Sequence, residues 1–165
     1  MIGTFLKWFA GIGLCLILQT TLMHVIAIAG ITPDLLILVL FLMGVRNGVL
    51  PSIYAGFLIG LGQDLYTPAI LGQHALAMTI TGSFVGLFHE RIIRTDPIIK
   101  LVILLVAFII HDSIFTIVTI VKTDAGGGLL VREIFTRSLP RALYSIALAS
   151  LSYIYNYYVK PTLHR

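Results

Sequence analysis

Long apolar blocks, broken only by brief polar interruptions, fill this chain almost from end to end. A helix needs about 20 largely apolar residues to cross a hydrocarbon core roughly 30 Å thick. The pattern predicts six spans, at about 5–28, 33–46, 49–66, 70–88, 98–121 and 138–159. The expected fold is therefore all-α: a six-transmembrane-helix bundle forming a single integral membrane domain over 1–165. The stretch "LLILVLFLMGV" makes the second span short. Either its neighbours shield it, or the outer ends of spans two and three lie below the membrane surface.

Polar residues inside these blocks need partners, because hydrocarbon offers none. Gln19, Thr20 and Thr21, in the outer half of span one, are expected to face other helices. Pro33 suits the first turn of span two, and Asp34 lies near the positive end of that helix's dipole. Gly56 with Gly60, and Gly82 with Gly86, fit the small-xxx-small spacing that draws helix backbones together. His111-Asp112 lies past the middle of span five, where ionisable groups must be shielded, hydrated or neutralised. The pair reads either as a proton relay or ligand contact, or as an interhelical clamp in which Asp112 accepts from a neighbour.

Between spans five and six, "LLVREIFTRSL" places Leu130, Ile134 and Ser138 on one stripe, away from Arg132, Glu133 and Arg137. This predicts an external amphipathic segment at about 129–138, with Ser138 capping span six and Pro140 in its first turn. Arg132, Phe135, Arg137 and Arg141 are candidates for a partner-contact surface there. Four tyrosines in "YIYNYYVKP" form an aromatic belt at the other end of span six.

Composition agrees with a membrane solvent. The 165 residues are 58% hydrophobic and 11% charged, and a soluble domain carries about 25% charged residues. An N-in arrangement puts Lys7, Arg46, Arg91, Arg94, Lys100, Lys160 and Arg165 in the cytoplasm and leaves Lys122, Arg132, Arg137 and Arg141 outside. Cytoplasmic enrichment in bases therefore places both termini inside. Met1–Lys7 leads straight into the first span, so no cleaved signal is expected. The single cysteine, Cys15, can form no intrachain disulfide.

No phosphate-binding loop, GxSxG, paired catalytic carboxylates or Cys/His zinc spacing occurs, and the few scattered bases exclude a nucleic-acid-binding signature. Neither an enzyme nor a cofactor is expected. His24, Asp34, Asp64 and His74 all fall toward the external face and are candidates for a pocket there. Within "GQDLYTPAILGQHAL", Asp64 is also a candidate anchor for the exposed N–H groups that start span four, with Pro68 and Gly72 turning the chain.

The order of "LQTTL", "GITPDLLILVLFLMGVRNG", "YAGFLIGLGQDLYTPAILGQHALAMTITGSFVG" and "LPRALYS" resembles the MreD family of bacterial rod shape-determining membrane proteins. Its most specific parts are Pro33-Asp34, and Gly60…Asp64 followed by Gly72-x-x-Ala75-Leu76. Together with Gln19 and Asp112, these are the family-motif and polar-anchor candidates. The resemblance implies a non-enzymatic component of the cell-elongation, peptidoglycan-synthesising complex of the inner membrane. Its partners would be a bitopic MreC-like protein, the MreB filament, RodA and a class B penicillin-binding protein, with a homodimer as a further candidate. It also implies a fold shared with the substrate-binding subunits of energy-coupling-factor vitamin transporters. That kinship supplies the alternative function, binding of a vitamin or other small molecule for uptake.

Overall fold

Gly48 turns the chain from one helix into the next in a single residue, at a φ of 83° that side-chain-bearing residues resist. It joins α2 (Leu35–Asn47) to α3 (Val49–Tyr66). Before them runs α1 (Ile2–Thr21); after them come α4 (Gln73–Leu87) and α5 (Pro97–Thr123). A short α6 (Gly128–Glu133) enters a π-helical segment (Ile134–Ser138) that continues directly into α7 (Leu139–Tyr158). The computed structural model describes residues 2–21, 27, 31–67, 71–90, 97–123 and 128–158, and these contain helices and no strand.

The tightest pairing is between α3 and α4, and glycine makes it so. A methyl group at Gly56 would fall on the Met78 carbonyl, and one at Gly60 on the Ala75 Cα. From the other side, a Cβ at Gly82 would lie 2.5 Å from the Ser52 carbonyl oxygen, and one at Gly86 2.6 Å from the Val49 Cα. Each small-xxx-small run therefore lies on the backbone of the other helix, the two at different levels of one interface. Leu36, Ile37 and Leu40 of α2 pack in one core with Ile59, Met78 and Val85 of this pair. Leu104, Ala107 and Phe108 of α5, Ala142 of α7 and Ile12 of α1 complete it.

Large apolar side chains also point outward, including Leu50, Tyr54, Leu65, Ile98, Val102 and Val121. One described helix, Ile98–Thr123, is long and apolar enough by itself to cross a membrane; Ala10–Thr21 and Leu35–Asn47 are shorter apolar helices. With 13 residues, α2 extends about 20 Å, as short as its apolar run predicts.

Two boundaries differ from expectation. Pro33 lies outside α2, because Asp34 is the capping residue and the helix begins at Leu35. Ser138 does not cap the last helix either: the chain is helical without a break from Gly128 to Tyr158. The π segment explains how. The Leu139 N–H donates back to the Ile134 carbonyl, one residue further than in an α-helix. This wider turn accommodates Pro140, which has no N–H and would crowd the carbonyl four residues before it. His24, Arg91, Arg94, Pro68 and Lys160 lie outside the described residues.

Candidate functional site

Helix starts leave N–H groups without partners, and at one end of the bundle buried side chains supply those partners. Asp64, in the last turn of α3, reaches across to the beginning of α4. Its Oδ1 accepts from the His74 N–H at 2.9 Å, and its Oδ2 accepts from Gly72 at 2.9 Å and Ala75 at 3.1 Å. Gly72, at a φ of 91°, occupies the cap position without any side chain to fill this role. A carboxylate from the neighbouring helix takes it, beside the positive end of the α4 dipole.

Asp34 caps its own helix. Its Oδ1 accepts from Leu36 at 2.9 Å and Ile37 at 3.2 Å, while its backbone N–H donates to Ser145 Oγ at 3.0 Å. Gln19 of α1 brackets the same turn: Nε2 donates to the Pro33 carbonyl and Oε1 accepts from the Leu35 N–H, both at 3.1 Å. One amide thus satisfies the backbone on both sides of Asp34.

The second Asp34 oxygen faces Arg141 of α7, 2.5 Å from Nη2. Arg141 Nη1 lies 3.6 Å from Asp112 Oδ1. That same oxygen accepts from His111 Nδ1 at 2.9 Å, and Ser138 lies beside Asp112 as a further donor. Asp34–Arg141–Asp112–His111 therefore forms one chain linking α2, α7 and α5. Buried charges are tolerated when they are paired in this way.

Above this network lies a cavity of about 750 Å³, lined among others by Gln19, Gln63, Tyr66, His74, His111, Asp112, Phe115, Arg137 and Arg141. The His74 ring rests on Phe115, with centroids 4.6 Å apart, and lies 6.1 Å from His111. Among the described residues, Gln63 Oε1, His74 Nδ1, His111 Nε2 and Arg141 Nε are buried polar atoms without a hydrogen-bond partner. All four residues line this cavity.

The sequence candidates separate into three groups here. Gln19, Pro33, Asp34, Asp64, Gly72 and Asp112 converge on this end, the first five through backbone hydrogen bonds and Asp112 through His111 and Arg141. Of the four candidates for an external pocket, His74 lines the cavity. Asp34 and Asp64 spend their oxygens on helix starts and Arg141, and His24 is outside the described residues. Arg132, Phe135 and Arg137 are exposed on α6 and the π segment, with Arg137 at the cavity rim, 3.4 Å from Glu133. Arg141 does not share their outward surface, because two carboxylates draw it inward. Sequence reasoning missed Gln63 and Tyr66. An amide inside an apolar run, next to Asp64, was the available signal for Gln63.

The family model described as rod shape-determining protein MreD matches residues 1–158 of the chain. No curated protein and no solved structure matches it.

Proposed function

Since the chain belongs to the MreD family of rod shape-determining proteins, we propose that it is a non-enzymatic membrane scaffold of the cell-elongation complex. In this reading it binds an MreC-like bitopic protein and helps to connect it with MreB, RodA and a class B penicillin-binding protein. It resides in the inner membrane as a multi-pass bundle with both termini in the cytoplasm, as its basic residues suggest.

The observation that carries the proposal is the reach of the family match, which takes in all but the last few residues. The structure supports it in a particular way. The carboxylates at this end of the bundle brace helix starts and a guanidinium, which are structural contacts. Arg132, Phe135 and Arg137 stand exposed beside the cavity mouth, and they form the contact surface we assign to the MreC-like chain. Depletion in the native rod-shaped host tests the role: cells should round up and lose the spatial pattern of wall synthesis. Unchanged shape and unchanged wall growth would refute it.

The cavity favours a second reading, the substrate-binding subunit of a small-molecule transporter. It requires that deletion abolish uptake of a nutrient and that purified protein retain that nutrient.

A further inference from the structure

Two opposing preferences meet where α6 runs into α7. A π turn is rare inside a helix, and the α form is the ordinary way to continue. Pro140 works against that form, because its ring would crowd the Thr136 carbonyl four residues earlier. The observed turn, in which the Leu139 N–H donates to the Ile134 carbonyl, avoids the clash. Each register thus carries a penalty that the other lacks, and the two oppose each other at one turn.

The two sides of this turn are held differently. On the α7 side, Arg141 pairs with Asp34 and Asp112, and Ser138 adjoins Asp112. On the α6 side, the polar side-chain contacts are internal to the segment. Thr136 Oγ1 donates to the Arg132 carbonyl at 2.7 Å, and Arg137 pairs with Glu133 at 3.4 Å. Among the described residues, no side-chain hydrogen bond or ion pair ties residues 131–137 to another helix. The segment can therefore turn as a unit without breaking its own contacts. In an α turn the Leu139 N–H would donate to the Phe135 carbonyl instead. Every earlier residue of the segment would then take the place of the one before it, a rotation of about 100° with a shift of about 1.5 Å. Ile134 would stand where Glu133 now lines the cavity, and Phe135, now 67% exposed, would take the half-buried place of Ile134.

We propose that residues 128–138 form a lid with two registers, pivoted on the π turn and balanced there by Pro140. In the π register the lid shows Glu133 to the cavity and Phe135 to the outside. In the α register it shows Ile134 to the cavity and withdraws Phe135 against the bundle. The inner wall and the outer surface of the lid therefore change together.

Double electron–electron resonance between nitroxide labels on the detergent-purified full chain, in a Cys15→Ala background, tests this. Val131→Cys labels the lid, and Leu65→Cys on α3 and Val121→Cys on α5 label packed helices; all three positions are exposed. The Leu65–Val121 pair is the fixed reference and should give one narrow distance distribution. The two pairs that include Val131 view the lid from different sides. At least one of them should give two distances, since a side chain at the edge of a helix moves about 8 Å in such a rotation. Pro140→Ala removes the clash that opposes the α register, so it should raise the second population about tenfold. Pro140→Ser gives the same readout should the alanine variant fail to fold. Lid pairs as narrow as the reference pair overturn the proposal. So do two populations whose ratio is the same with and without Pro140.

Discussion

Arg141 Nη2 stands 2.5 Å from Asp34 Oδ2 although the two residues are 107 positions apart in sequence. This contact ties the first turn of α7 to the cap of α2, and the other arm of the guanidinium reaches Asp112 on α5. Removing Arg141 would leave two buried carboxylates, Asp34 and Asp112, without their shared cation. Losing one partner of a buried ion pair costs about 3–5 kcal/mol. Arg141→Leu should therefore lower the melting temperature in detergent and the yield of folded protein. Adding Asp112→Asn to that variant should recover part of the loss. A wild-type melting curve for Arg141→Leu would show that the network does not stabilise the bundle.

Asp64 makes its contribution through three backbone N–H groups on another helix. Hydrogen bonds to a charged group contribute about 1.5–3 kcal/mol each. Asp64→Leu should deplete folded protein, and Asp64→Asn, which keeps one acceptor oxygen, should fall between it and wild type. If Asp64→Leu folds normally yet loses the MreC-like partner, Asp64 is a contact residue and the anchor assignment is wrong.

The glycine face supplies a steric test with an internal control. A side chain at Gly60 meets the Ala75 backbone, which has no flexible end to yield, whereas one at Gly11 meets nothing within 4 Å. Gly60→Val should force α3 and α4 apart and cost about 1–3 kcal/mol or more. Gly11→Ala should be neutral or slightly stabilising, since alanine favours a helix. Equal melting temperatures for these two variants would contradict the observed α3–α4 pairing.

Asp112 separates a clamp from a proton relay. Its carboxylate touches His111 and Arg141 and adjoins Ser138, so Asp112→Asn should reduce stability moderately while preserving complex formation and cell shape. Complete loss of the cell-shape function in a folded Asp112→Asn protein, with its partner still bound, would favour a proton-transfer role.

The helical class and the α3–α4 contact were legible in the chain because both follow from local rules. Apolar block length gives helices, and glycine four residues apart gives a narrow face wherever two such helices meet. The capping of α4 by Asp64 was also within reach, since an acidic residue shortly before a helix start has an obvious electrostatic use. What the sequence did not display was the inward turn of Arg141. Arg132, Arg137 and Arg141 look alike in a linear reading; only the convergence of α2 and α5 on α7 distinguishes the third. The π segment escaped for a related reason. Ser138 followed by Pro140 has the signature of a helix start, but one widened turn lets the helix run through instead. Gln63 became significant only when His74 and His111 were brought to the same cavity from two other helices.

The scaffold assignment is tested most directly by purification of the full chain from its native host in mild detergent, with identification of the proteins that accompany it. A stoichiometric MreC-like bitopic protein should co-purify, and Arg137→Glu should weaken its recovery without changing the melting temperature of the bundle. Recovery of the folded chain with no MreC-like protein, and with a transporter's energising subunits in its place, would contradict the scaffold account.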